Sequence, residues 1–298
     1  MSGKVMRYDK LLFLCTLFLC SCCGKASGST EGGEVTPPAP DPSPETVTAY
    51  VTTADKTLLF KSEELELRKP GTMAVNLVTL DSTVTYQTVD GFGPALTGST
   101  CYNLRAVMEP SARTALLKEV FDPKEGLGFS MVRVTIGSSD FGLDEYTWCD
   151  RKGMGNFAAH EYDVRDLFPV LKEVLAINPD VKIIATPWTA PRWMKRGVNN
   201  DSDYYSWTSG RLKPECYQDY AEYFVRWIRV MKSHGFDIYA VTLQNEPLNK
   251  GNSMSMYMPW QEQLEFIKTA VGPAFVKAGL NTKILVYDHN YNYDGIAD

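Results

Sequence analysis

The triplet Asn245-Glu246-Pro247 follows the apolar run from Ile238 to Leu243 with only Gln244 between. A strand that carries a glutamate to its C-terminal tip, with an amide before it and a helix-excluding proline after it, can present a carboxyl group to a sugar. Breaking a glycosidic bond takes a proton for the departing oxygen and a second carboxylate on the far side of the anomeric carbon, acting as nucleophile or base. Glu246 is the candidate proton donor. Asn245 beside it is the candidate partner of the sugar 2-hydroxyl, a contact that strengthens as the oxocarbenium-like state forms. A strand-ending turn, in which Asn and Pro only terminate structure, explains the triplet equally well on its own.

Three further groups bear on that choice. The segment Thr186 to Lys195 holds two tryptophans, Trp188 and Trp193, and two prolines, Pro187 and Pro191. Together they make a stiff aromatic surface of the kind that packs on sugar C–H faces, although any single tryptophan is more often core. Ser138-Ser139-Asp140-Phe141 sets a carboxylate after the apolar stretch Phe129 to Ile136, where it would bind sugar hydroxyls or cap a turn. Arg133 alternates with Val132 and Val134 inside that stretch. An arginine pointing into a barrel needs a carboxylate partner. The second catalytic carboxylate is one choice, and a strand-end salt bridge elsewhere is the other.

These residues need elements to position them. The pattern predicts strands over Val89 to Leu96, Phe129 to Ile136, Val181 to Ala185, Ile238 to Leu243 and Lys283 to Tyr287. Between them it predicts helices over Glu109 to Phe121, with Ser111 as cap, Val164 to Ile177, Pro214 to Ser233, and Pro259 to Lys277, with Gly279 as its stop. Alternating strands and helices imply an α/β fold, a parallel sheet covered by helices, either open or rolled. No G-x-G-x-x-G follows the first strand, so the nucleotide-binding version lacks its fingerprint. Polar and aromatic residues recur after strand ends, at Asp140, Trp188, Asn245-Glu246 and Asp288-His289-Asn290, which favours a (β/α)8 barrel with these residues at one mouth. About five βα units fit within 87–298. Thr46 to Tyr86 is rich in Val, Thr and Leu, alternates at Thr57 to Phe60 and Leu65 to Leu67, and turns at Lys69-Pro70-Gly71. Short antiparallel strands are expected there.

Composition removes several function classes. A net charge of -6 over 298 residues leaves no basic field for nucleic acid. Outside the N-terminus only Cys101, Cys149 and Cys216 remain, an odd number that argues against a disulfide framework. Neither they nor His160, His234 and His289 have metal-ligand spacing, so no metal or other cofactor is expected. At the N-terminus Lys4, Arg7 and Lys10 precede the apolar stretch Leu11 to Leu19, the layout of a secretory signal. Leu19-Cys20-Ser21-Cys22 is similar to a bacterial lipobox, with Cys22 as the acylated residue and Cys23 its competitor; a leader simply rich in cysteine is the other reading. Residues 1–22 therefore read as a lipoprotein signal peptide and 23–45 as a disordered Pro/Gly/Ser/Thr tether. A secreted or cell-envelope protein on a membrane lipid anchor is expected.

Asp90 to Thr97 (DGFGPALT), Val132-Arg133-Val134 with Ser139-Asp140-Phe141, Pro187 to Pro191 with Trp193-Met194-Lys195, and Asn245-Glu246-Pro247 together resemble glycoside hydrolase family 30. That family contains glucosylceramidases and β-1,6-glucanases, and the similarity runs from about Thr88 to Asn290. The resemblance implies a (β/α)8 barrel joined to a β-sandwich built from both chain ends, with 46–86 as the sandwich's N-terminal strands. It implies a retaining enzyme acting on a β-linked glucan or glucoside. Glu246 would be the acid/base, Asp140, Trp188 and Asn245 would hold the sugar, and Arg133 would support the nucleophile. The family's nucleophile is a glutamate ending the seventh strand. Glu262 and Glu265 fall on the helix after strand four and Asp288 follows strand five, so none matches it. Catalysis by this chain alone is accordingly not expected, and a glycan-binding lipoprotein without turnover is the alternative.

Overall fold

The computed structural model describes residues 46–67, 78 and 81–290. The signal peptide, Cys22, the tether and the Lys69-Pro70-Gly71 turn lie outside the described residues. The chain divides into two compact units, one running to Tyr86 and one starting at Gln87.

In the first unit β1 (Thr46–Val51) pairs antiparallel with β2 (Lys61–Glu66), Thr46 opposite Glu66 and Val51 opposite Lys61. Thr48 donates its hydroxyl to the Glu64 carboxylate across the pair at 2.5 Å, and Tyr50 stacks on Phe60 with ring centroids 4.9 Å apart. Thr57 to Phe60, expected as strand from its alternation, belongs to the connection instead. The Asp55 carboxylate accepts from the Thr57 N–H at 3.1 Å and its hydroxyl at 2.8 Å. Lys56 and Phe60 take φ of 59° and 51°, which a strand excludes. A local Asx-type turn thus outcompetes the period-2 pattern.

The second unit is a parallel five-stranded sheet with β3 (Ala95–Leu96), β4 (Met131–Thr135) and β5 (Lys182–Thr186) followed by β8 (Ile238–Thr242) and β9 (Lys283–Leu285). The short antiparallel pair β6 (Lys195–Arg196) and β7 (Arg211–Leu212) forms an excursion after β5. Helices α1 (Gly98–Tyr102) and α2 (Pro110–Phe121) separate β3 from β4, α3 (Phe168–Ile177) separates β4 from β5, α4 (Tyr217–Ser233) precedes β8, and α5 (Trp260–Phe266) with α6 (Gly272–Ala278) precedes β9. Strands that neighbour in sequence neighbour in the sheet, with a helical crossover each time. This is the succession of a (β/α)8 barrel, present here in part.

The alternation in β4 explains the layering. Val132 and Val134 are fully buried in the core with Ile183 of β5, Val241 of β8 and Leu171, Phe224 and Trp227 of the helices. Arg133 between them is left for the opposite face. Beside β4 the first strand is shorter than its apolar pattern, because Gly91 and Gly93 bring the backbone against β4. A Cβ on Gly93 would lie 1.4 Å from the Met131 carbonyl oxygen, so only Ala95–Leu96 runs as a regular strand. Ser111 does not cap α2: Pro110 occupies the first turn, Glu109 is the N-cap, and Ser111 is inside the helix. The continuous helix expected over Pro259 to Lys277 contains a π turn at Ile267–Val271, separated by Gly272 from Pro273, whose ring and missing N–H disrupt the α ladder. Gly279, with φ 65°, ends α6 as the pattern predicted.

Candidate active site

The C-terminal tips of β4, β5, β8 and β9 carry the chemistry-bearing side chains. After β8 the chain enters the left-handed region at Glu246, with φ 42°, and after β9 it does so again at Tyr287, with φ 61°. A left-handed backbone costs an ordinary residue roughly 1–3 kcal/mol and persists where neighbours fix it. Here they do: the Glu246 N–H donates to the Asp288 carbonyl at 2.9 Å, and the Asn245 N–H to the Pro187 carbonyl at 2.8 Å. The tip that bears the glutamate is thereby stitched to the strand on each side.

Arg133 spans all four strands. Its Nη2 donates to Asn245 Oδ1 at 2.8 Å and to Asp288 Oδ2 at 2.9 Å, its Nε donates to Thr186 Oγ1 at 3.2 Å, and its guanidinium lies 4.8 Å from the Trp188 ring centre. The Thr242 hydroxyl also donates to Asp288 Oδ2, at 2.8 Å. The carboxylate that Arg133 requires is Asp288. The sequence put Asp288 at the mouth without pairing the two. Candidate residues Arg133, Trp188 and Asn245 therefore form one array with Asp288, and Glu246 joins it through its backbone.

Trp188 is 7% exposed, and its indole N–H has no acceptor among the described residues. Gln244 holds its backbone, donating Nε2 to the Trp188 carbonyl at 2.6 Å. Trp193, read as part of the same sugar-facing surface, is a core residue at 8% exposed, and its indole donates to the Cys149 carbonyl at 2.8 Å. Behind this loop Lys195 is fully buried. Its ammonium donates to Thr189 Oγ1 at 3.0 Å, the Ser206 carbonyl at 2.8 Å and the Ser255 carbonyl at 3.1 Å. Burial, and then the charge of Arg192, push its pKa down to about 7.

Asp140 is exposed and accepts from Asn252 Nδ2 at 3.3 Å. Asn249 donates Nδ2 to Glu246 Oε2 at 2.6 Å. One loop, Pro247 to Ser253, thus touches both the candidate acid and the candidate sugar-binding aspartate. Glu145 also reaches this rim, accepting from the Ser253 hydroxyl. The sequence reading passed over Asn249, Asn252 and Glu145. The run Asn249-Lys250-Gly251-Asn252, one residue after the triplet, was the available signal. Glu262 is engaged elsewhere, in ion pairs with Arg196 at 3.1 Å and Arg211 at 2.6 Å.

Comparison with known proteins gives this arrangement its context. Residues 89–294 match the Glycosyl hydrolase family 30 TIM-barrel domain. An endo-1,6-beta-D-glucanase of Aspergillus fumigatus is 34% identical over 237 residues, covering 74% of this chain and 48% of the fungal protein. Mouse lysosomal acid glucosylceramidase is 29% identical over 221 residues, covering 71% and 42%. Among solved structures the endo-beta1,6-glucanase BT3312 superposes with a TM-score of 0.74 at 52% identity, covering 84% of this chain and 54% of that one. The chain spans about half the length of the relatives it matches. The matched residues hold all five parallel strands and every side chain of the array around Arg133, and the chain belongs to glycosyl hydrolase family 30.

Proposed function

We propose that the protein hydrolyses β-linked glucan with retention of configuration, with β-1,6-glucan as the preferred class, and that Glu246 is its acid/base. The observation that carries this reading is the array at the strand tips, in which Arg133 holds Asn245 beside Glu246 and lies over Trp188. Glucanases in the family at 34% and 52% identity support glucan over glucosylceramide. In the first step Glu246 gives its proton to the departing glycosidic oxygen while a carboxylate roughly 5–5.5 Å away attacks the anomeric carbon. In the second, Glu246 takes a proton from water, which displaces that carboxylate and frees the sugar. The family resemblance assigns the attacking carboxylate to a glutamate ending the barrel's seventh strand. Asn245 bonds the 2-hydroxyl, Trp188 offers its ring, and Asp140 binds an outer hydroxyl. Arg133, fixed by Asp288, supports the attacking carboxylate. The order of residues Lys4 to Cys22 supports a cell-envelope location with a lipid anchor on Cys22.

The test uses the natural gene product with Glu246→Gln, assayed on β-1,6-glucan and on an aryl β-glucoside whose phenol leaves without help. Loss of roughly 10²–10⁴-fold on glucan, with much less on the aryl glucoside, is expected for a general acid. Equal turnover of both substrates by variant and parent would remove Glu246 from the mechanism. Oligosaccharide binding with no product from the parent protein would identify a glycan-binding protein instead.

A further inference from the structure

We propose that Asn249 is a positioning residue that fixes which oxygen of Glu246 carries the transferable proton, an inference that rests on the acid/base reading of Glu246. The orientation of the Asn249 amide is set by its own contacts. Its Oδ1 accepts from the Gly251 N–H at 2.8 Å, which leaves Nδ2 as the group facing Glu246 Oε2 at 2.6 Å. An amide nitrogen only donates. Oε2 is therefore engaged as an acceptor, and because a carbonyl-type oxygen accepts more strongly than a hydroxyl oxygen, the N–H favours the form in which Oε2 carries no proton. The acidic proton belongs on Oε1.

The rest of the loop makes this contact a fixed one. The Asn249 N–H donates to the Glu246 carbonyl at 2.8 Å, and the Glu246 N–H is held by the Asp288 carbonyl at 2.9 Å. Backbone and side chain of the acid are thus tied at three points, two of them by Asn249. A glutamate has three side-chain torsions to lose, and a donor aimed at the wrong angle loses much of the benefit of general acid catalysis. Asn249 removes that freedom before substrate arrives. The competing role, a turn former only, would need the Gly251 contact and not the Glu246 one.

Two variants separate these roles. Asn249→Asp keeps an oxygen for the Gly251 N–H and replaces the donor to Glu246 with a second acceptor; Asn249→Ala removes both. The natural gene product is assayed by kcat/KM, which reports departure of the leaving group, on β-1,6-linked gluco-oligosaccharide and on an aryl β-glucoside with an acidic phenol. Both variants are expected to lose roughly 10–100-fold on the oligosaccharide, a fraction of the full general-acid contribution, and less than about 3-fold on the aryl glucoside, which needs little proton donation. Unchanged rates on the oligosaccharide, or equal losses on both substrates, would overturn the proposal. If Asn249→Asp folds and is unaffected while Asn249→Ala loses rate on both substrates, Asn249 is a turn former. Glu246→Gln is run in parallel. Full oligosaccharide activity in that variant sinks the acid/base reading itself, whereas an inactive Glu246→Gln beside an unaffected Asn249→Asp sinks only the role of Asn249.

Discussion

The two sides of the mouth are built on different physics. On the side of β4 and β5 the loops are walled into the core: Trp148, Trp193 and Lys195 are buried, and the Trp193 indole and the Lys195 ammonium reach carbonyls of other segments. On the side of β8 and β9 the backbone takes left-handed φ at Glu246 and Tyr287, and half-exposed polar groups hold one another. Under the proposed function the first side carries Trp188, the sugar-facing ring, and rigidity is what that ring needs. The second presents the carboxyl groups of Glu246 and Asp288, which under the proposed function exchange a proton or bear charge; it keeps contact with solvent and accepts local backbone cost. Burial holds the side chains of the first side; hydrogen bonds hold the half-exposed carboxyl groups of the second.

The largest break in this contrast is at Lys195. Lys195→Met fills the space but leaves the Ser206 and Ser255 carbonyls without their donor, at about 1–3 kcal/mol for each buried acceptor. A loss of about 3–5 kcal/mol is expected in urea unfolding of the protein. The pH dependence has a definite sign. Native Lys195 titrates at about 7 against 10.5 when unfolded, so the unfolded chain binds more protons between those values and wild-type stability rises with pH across that window. The variant lacks this rise, so its deficit should widen from pH 7 toward pH 10. A loss below about 1 kcal/mol, like that of a surface charge, would show that the wall does not depend on this clamp.

A smaller effect is expected from the same wall at Asp163. It is buried and accepts from the Tyr146 hydroxyl at 2.8 Å and the Trp148 indole at 2.5 Å, and burial raises its pKa from 3.8 to about 7. The native state therefore holds a proton that the unfolded chain has released, and stability falls as pH rises from about 4 to about 7. The decline is about 1 kcal/mol per pH unit. Asp163→Asn should flatten the curve of melting temperature against pH in that range and leave the side of β8 and β9 unaltered. An unchanged slope would mean that the carboxyl group is not shielded by the wall.

The same contrast governs what the sequence made legible. Val132, Val134 and the apolar run after Ile238 announced β4 and β8 to within about two residues, because burial on one face imposes a period that survives in the letters. Gly279 announced the end of α6 for an equally local reason. The π turn before Pro273 was not legible, since a helical period continues through it. Trp193 was misread because a polar neighbourhood in sequence does not imply one in space. Arg133 declared its need for a carboxylate, yet Asp288 lies 155 positions away, and the register that joins them arises only when parallel strands align. Asn249 lay beside the triplet, and what hid it was orientation: which end of an amide faces a carboxyl group is decided by a third residue, Gly251.

The smallest effect tests the polar side directly. Glycine tolerates left-handed φ, whereas alanine there costs roughly 1–2 kcal/mol. Glycine's extra freedom in the unfolded chain returns about 0.5–1 kcal/mol of that advantage. Glu246→Gly is therefore expected to exceed Glu246→Ala in stability by about 0.5–1 kcal/mol, both variants having lost the same contact to Asn249. On the packed side the order should reverse. Ala190 is fully buried and is not among the residues with positive φ, so Ala190→Gly should fall below the parent by about 1 kcal/mol. Urea unfolding of the three variants measures both differences. If glycine were the worse residue at both positions, the backbone at Glu246 would be as relaxed as the wall, and the cost ascribed to its left-handed φ at the strand tip would not exist.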